Sequence, residues 1–183
     1  RGGLHIQAEV DSDQPLYESL RQVGFGVYAR QRIWRLDSSA TGQTLPGLRR
    51  AHAGTDMAAT RFLYANLVPG LVQQVEPPPA SQPQGMVLYK GNELLVYVEI
   101  RYGARGIWAQ PFVHPDAEAV AEPLISVLRD LPNRRTRPVY VCVRSYQSWL
   151  EPVIDRLGAE PGPPQAVLVR HLSLARRQPV ANP

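Results

Sequence analysis

Cysteine is almost missing from this chain. Cys142 is the only one among 183 residues, which excludes an internal disulfide framework and any cysteine-based metal cluster. Its setting in VYVCV reads as a small buried core residue, and a reducing cytoplasm fits. Long apolar runs are missing too. No stretch approaches the roughly 18 consecutive apolar residues of a membrane span. No charged-then-apolar leader is visible. Arg1 in place of Met predicts a longer parent, from which a leader could have been removed. Lysine is the third scarcity: Lys90 stands alone, so nearly all of the positive charge is arginine.

What remains is an ordinary composition, 44% hydrophobic and 20% charged, with length for one domain or somewhat more. The net charge is +4 and the pI about 9.5. Arginines cluster at Arg30, Arg32 and Arg35, at Arg49 and Arg50, and at Arg134, Arg135 and Arg137. Such patches can bind polyanions. These are short, scattered and interleaved with acids, so solvated surface is the better reading and nucleic acid the weaker one.

Residues 4–10 alternate as a strand. Asp13 can cap a helix with Pro15 in its first turn. Leu16, Leu20 and Val23 form one apolar stripe, and Gly24 ends the helix. Residues 26–36 then read as a long strand. A polar linker covers 37–45. Gly47 to Ala53 suits a short strand. Thr55 or Asp56 can cap a helix to about Gln74 that bends at Pro69-Gly70. Residues 76–84 form a loop. Three strands, 86–90, 93–102 and 107–113, follow with tight turns, which implies antiparallel hairpins. Beyond His114-Pro115, the spacing of Leu124, Val127, Leu128 and Leu131 predicts a helix beginning near Pro123. A strand at 138–144 follows, then a helix capped by Ser148 and stopped by Gly158. The loop EPGPP leads to a last strand at 165–172 and a polar tail, 174–183, expected to fray.

The opening and closing segments share one plan: strand, helix, glycine, strand. Counted back from Gly24 and Gly158, Leu16 matches Leu150, Leu20 matches Ile154 and Val23 matches Leu157. The two glycines lie 134 positions apart. Self-similarity of this kind suggests a duplicated unit.

From Gly47 to Leu172 the order of elements resembles the GNAT superfamily, the acyl-CoA-dependent N-acyltransferases. GNELLVYVEI is similar to that family's hairpin between its second and third strands. FVHPDA resembles its Val-x-Pro strand end, here Val113 and Pro115. RLGA, and QVGFGVYARQRIWRL in the opening, resemble its joint between helix and last strand. The resemblance implies an α/β fold with a central mixed, mostly antiparallel twisted sheet flanked by helices. It implies a GNAT-like domain over 46–173. Residues 1–36 would be the closing strand–helix–strand of a preceding GNAT-like domain, supplied by a missing N-terminal part or by another chain.

The resemblance also implies acetyl-CoA as cofactor and a primary amine as substrate. In the family a glycine-containing loop after Val-x-Pro wraps the CoA pyrophosphate with backbone N–H groups. The corresponding positions here put Val113, Ala119 and Ala121 at the cofactor. Yet this loop reads Asp116-Ala117-Glu118-Ala119-Val120-Ala121-Glu122-Pro123, acidic and without glycine. The family's base is a carboxylate on or near the fourth strand; Gln110 stands on that strand and Glu99 on its neighbour. Ile154 occupies the place of the family's tyrosine, with Tyr146 nearby and His114 a further candidate base. No metal ligands are expected. The chain thus reads as an acetyltransferase-like module, degenerate in acetyl-CoA binding and serving a partner domain. The alternative is an active N-acetyltransferase. No membrane contact is expected.

Overall fold

The computed structural model describes residues 5–37, 44–76, 78, 84–131 and 134–172. Leu4, most of the linker 37–45, most of the loop 76–84 and the tail 174–183 lie outside the described residues. In chain order the elements are β1 (His5–Asp11), α1 (Pro15–Gln22), β2 (Gly26–Leu36), β3 (Arg49–Arg50), α2 (Ala53–Leu67), α3 (Gly70–Val75), β4 (Gly85–Lys90), β5 (Glu93–Tyr102) and β6 (Ile107–Val113). A 3-10 turn (Pro115–Val120) leads into α4 (Ala121–Arg129). β7 (Val139–Arg144), a second 3-10 turn (Ser145–Leu150), α5 (Glu151–Arg156) and β8 (Glu160–His171) complete the chain.

The described strands form one sheet, in the order β1-β8-β2-β7-β6-β5-β4-β3. Every neighbouring pair is antiparallel except β6 and β7. Alternation sends successive side chains to opposite faces. Val96, Val98 and Ile100 of β5, Ile107, Ala109 and Val113 of β6, and Val139, Val141 and Val143 of β7 face α4 and α5 in the main core. Tyr97 and Phe112 face α2 and α3 in a second core, with Leu63, Tyr64 and Val72.

Several boundaries differ from the sequence reading. The N-cap of α1 is Gln14, and Asp13 makes no cap. The strand expected at Gly47 to Ala53 is only Arg49–Arg50. Helix α2 starts at Ala53 with His52 as N-cap, ahead of Thr55 and Asp56. Asp56 instead reaches back from the first turn: its carboxylate accepts from the His52 N–H at 2.7 Å, from two Arg49 nitrogens at 2.7 and 2.8 Å, and from the Tyr89 hydroxyl at 2.9 Å. The last strand begins five residues early, because EPGPP is already β8. Glu160, Pro161 and Pro164 pair with β2 but lie beyond the end of β1, so these prolines sit where the strand has one neighbour and no N–H is needed on the other side. Arg134 is not solvated surface. It is 5% exposed and donates to the carbonyls of Leu36, Arg129 and Arg137.

The internal repeat has a geometric counterpart. Adding 134 to a residue of β2 gives its mate in β8, and all pairs of the ladder between the two strands except Ala29↔Val167 map onto the ladder under this exchange. Gly26↔Val169 becomes Arg35↔Glu160, Val27↔Leu168 becomes Trp34↔Pro161, and Arg30↔Ala166 becomes Arg32↔Pro164. Gln31↔Gln165 is its own mate, and these two side chains hydrogen bond at 2.9 Å. The β2–β8 ladder therefore has a local two-fold passing between Gln31 and Gln165, while the outer ladders, β1 with β8 and β7 with β2, differ by one residue in register. In these outer ladders the units β1–α1–β2 and β7–α5–β8 cross, each pairing its outer strand with the other's inner strand. Both helices end alike, on glycines of positive φ, 89° for Gly24 and 73° for Gly158.

Candidate functional site

Two places bear on function: the turn after β6, and a cavity on the sheet face toward α2 and α3. They share strand β6 but lie on opposite sides of it.

β6 and β7 pair only over Ile107–Ala109 and Val139–Val141. Pro111 follows, with no N–H to extend the ladder, and the strands part. The gap is bridged from the second 3-10 turn. Gln147, 2% exposed, donates from Nε2 to the Val113 carbonyl at 2.8 Å. Val113 itself is fully buried.

The turn that follows is wound into 3-10 helix over Pro115–Val120. Three of the local amides are taken by acceptors of the turn itself. The Asp116 N–H meets His114 Nδ1 at 3.2 Å, the Ala117 N–H donates to the His114 carbonyl at 2.8 Å, and the Ala121 N–H donates to the Glu118 carbonyl. Ala117 and Ala121 are packed in the main core, whereas Ala119 is exposed. Asp116, Glu118 and Glu122 are all exposed around the start of α4. The positive end of that helix dipole is thus already matched by three carboxylates of the chain itself.

The cavity encloses about 710 Å³. Its wall brings together two of the residues singled out from sequence. Glu99 and Gln110 are direct cross-strand partners on β5 and β6, and both line it. Glu99 is held by Arg101, whose Nε and Nη2 donate to Oε1 at 2.8 and 2.6 Å. Tyr146 is not among the lining residues; it packs against the second core, where burial pushes its phenol well above the usual range. His114 lies elsewhere, against a separate hollow beside α2.

At the end of β7, Arg144 lines the cavity with its side chain 7% exposed. Its Nη2 donates to Glu76 Oε1 at 2.6 Å, and the Tyr28 hydroxyl donates to the same oxygen at 2.5 Å. The Tyr64 hydroxyl donates to the Glu76 carbonyl at 2.6 Å. Burial, then the Glu76 charge, pushes the Tyr64 phenol up to about 12. Burial, the largest single influence, lowers the Arg144 pKa; Glu76 together with Cys142, Tyr146 and Tyr28 outweighs it and the net shift is upward. Arg144 Nε and Nη1 are buried with no acceptor.

Sequence reasoning did not single out Arg144. The available signal was the alternation of VYVCVR, which places Tyr140, Cys142 and Arg144 on one face. Alternation alone does not say that this face is roofed. Cys142 is buried as expected; burial pushes its thiol up to about 12, and Sγ donates to Gln31 Oε1 at 3.3 Å. Among the described residues no group of three or more His, Cys, Asp or Glu could hold a metal ion. No described helix is long and apolar enough to cross a membrane.

The mixed eight-stranded sheet with helices on both faces is the fold of the GCN5-related, or GNAT, acetyltransferases. A GCN5-related N-acetyltransferase from Sphaerobacter thermophilus superposes with a TM-score of 0.56 at 13% identity, over 93% of this chain and 60% of its own. A GNAT-family acetyltransferase from Colwellia psychrerythraea gives 0.57 at 13% identity, over 91% of this chain and 65% of that one. A GCN5-related N-acetyltransferase from Kribbella flavida gives 0.56 at 12%, over 89% and 67%. This chain therefore spans three fifths to two thirds of the length of these structures. No protein-family model and no curated protein matches the sequence.

Proposed function

We propose that this chain is a GNAT-like acetyltransferase module whose own turn does not hold acetyl-CoA, and that it works docked to a second GNAT-like half. The observation that carries this reading is the 3-10 turn Pro115–Val120, with amides of Asp116, Ala117 and Ala121 already bonded within it and with exposed carboxylates around it. A pyrophosphate resting there would face Asp116, Glu118 and Glu122. One like-charge contact near 4 Å costs roughly 4 kcal/mol at surface dielectric before screening. A micromolar ligand has only about 8 kcal/mol of binding free energy in total. Pro123 offers no N–H, and no glycine lets the backbone approach.

The two-fold supports the partner half. In this reading β1–α1–β2 closes a preceding GNAT-like half. That half, in the same polypeptide or another chain, would lay a strand parallel to β1 as β6 lies along β7. Its helix would cover Leu16 and Leu20 as α4 covers Leu150 and Ile154.

Calorimetry and thermal unfolding with acetyl-CoA test the reading. At a hundred times a micromolar Kd, binding would stabilise the fold by about 2.7 kcal/mol; no heat and no shift are expected. Saturable binding to the unmodified chain would contradict the proposal. Glu118→Arg then separates causes. Binding gained by that variant assigns the obstacle to charge, and continued absence assigns it to the wound backbone.

A second reading keeps an active N-acetyltransferase acting on a primary amine. It is favoured by one observation, the meeting of Glu99 and Gln110 on the cavity wall. Turnover of acetyl-CoA with an amine by the chain alone, lost in Glu99→Gln, would establish it.

A further inference from the structure

The geometry points to a binding site for a small carboxylate-bearing molecule with a flat apolar body, in the cavity floored by Arg144. This goes beyond the proposed function and stands whether or not acetyl-CoA binds.

The first reason is the guanidinium. Arg144 is buried and permanently charged. Glu76 takes one of its donors, while Nε and Nη1 have no acceptor. A buried donor left unmade is unfavourable, and such an atom in a native protein calls for a partner. Arginine's planar fork is matched by the two oxygens of a carboxylate.

The second reason is preorganisation. Glu76 is fixed by Tyr28, Tyr64 and Arg144 together, so the guanidinium plane is set before any ligand arrives. Glu76 balances the Arg144 charge but occupies only one of its donors, so what the site lacks is acceptors for Nε and Nη1. A site held this way by its surroundings is what selective recognition requires.

The third reason is the wall. Tyr97 and Phe112 stack at 5.9 Å with planes 15° apart, and Tyr64 lies 5.6 Å from Phe112. These rings are themselves nearly buried; the flat apolar surface open to a planar group is that of Trp108, farther along β6 beyond Gln110. On the same face, between these rings and Trp108, Glu99 and Gln110 can accept from an N–H or O–H of the ligand. The volume suits a small molecule, not a peptide or nucleic acid. The other arginine at the cavity, Arg101, is occupied by Glu99 and its side chain is 68% exposed, so Arg144 is the buried cation available for recognition.

The test uses three probes of one shape on the full chain: phenylacetate, phenylacetamide and phenethylamine. Binding is followed by ligand-observed NMR and by the shift in melting temperature. Phenylacetate is expected to bind saturably and at least tenfold more tightly than the neutral amide or the amine. Equal binding of acid and amide, preference for the amine, or no binding of phenylacetate overturns the proposal. Arg144→Met is expected to erase the preference for the acid. Because that variant strands Glu76 and can unfold the chain, the probe comparison on the unmodified protein is decisive. Trp108→Ala, on the partly exposed wall, is expected to weaken all three probes alike while keeping the order. A reversed order in that variant would also count against Arg144 as the anchor.

Discussion

The two strand–helix–strand units share their plan and the way their helices close, and differ in their neighbours. Gly24 closes α1 and Gly158 closes α5 with equivalent hydrogen bonds: Gly24 N–H to the Arg21 carbonyl and Phe25 N–H to that of Leu20, against Gly158 to Asp155 and Ala159 to Ile154. The stripes fare differently. Leu150 and Ile154 are fully buried beside α4, whereas Leu16 and Val23 are 54% and 53% exposed and α1 buries no residue completely. β7 has strands on both sides, while β1 is an edge of the described sheet. Local sequence therefore sets the turn and the cap. Burial is set by what the rest of the chain brings alongside, which is where most helix stability in proteins arises.

Mutation can sharpen this contrast. The largest difference is expected between mates: Ile154→Ala should cost about 3–4 kcal/mol in urea unfolding, as for a fully buried aliphatic truncation. Leu20→Ala, at a half-covered site, should cost about 1 kcal/mol. Equal costs would break the comparison. Asp56 belongs to neither unit and serves as a reference. Asp56→Ala strips a buried carboxylate from Arg49, His52 and Tyr89 and should cost about 3 kcal/mol.

That site also fixes a pH dependence. The Arg49 hydrogen bonds, opposed by desolvation and aided by the His52 N–H and Tyr89 hydroxyl, hold the Asp56 carboxyl well below the usual carboxylate range. Its folded pKa lies under the unfolded value of about 3.9. The stabilisation is therefore complete above that value and is lost as pH falls through the folded pKa. Acid titration of stability should show this loss equally in Ile154→Ala and Leu20→Ala, and a flatter acid limb in Asp56→Asn.

At the dyad, Gln31 bonds to Glu9, Gln165 and Cys142. Gln31→Ala should cost about 2 kcal/mol. Combining it with Gln165→Ala should fall short of additivity, since the pair shares a bond. The smallest effect should be the most uneven in context. Leu16→Ser should change the stability of this chain by less than about 0.5 kcal/mol. A destabilisation of several kcal/mol would mean that α1 is covered after all.

Much of the framework was legible in sequence. Period and turn residues placed β5, β6, β7 and the break at Pro69-Gly70, and Gly24 and Gly158 marked the ends of α1 and α5. The start of β8 was hidden by its prolines, because only the pairing shows that Pro161 and Pro164 lie past the end of β1. The cavity was half legible. Glu99 and Gln110 could be named, but not their place on a cavity wall, since alternation gives two faces without saying which one a helix will roof. Arg144 was hidden for the same reason, and Arg134 passed for surface because carbonyl partners from three segments are invisible in a run of arginines.

The proposed role of this chain requires the turn 115–120 to refuse a pyrophosphate. Amide chemical shifts of residues 114–123, followed while acetyl-CoA is added to the labelled chain, read that contact at its own atoms. Unmoved resonances up to saturating ligand are the predicted result. Shifts of the Ala117 to Ala121 amides that titrate to a plateau would contradict it.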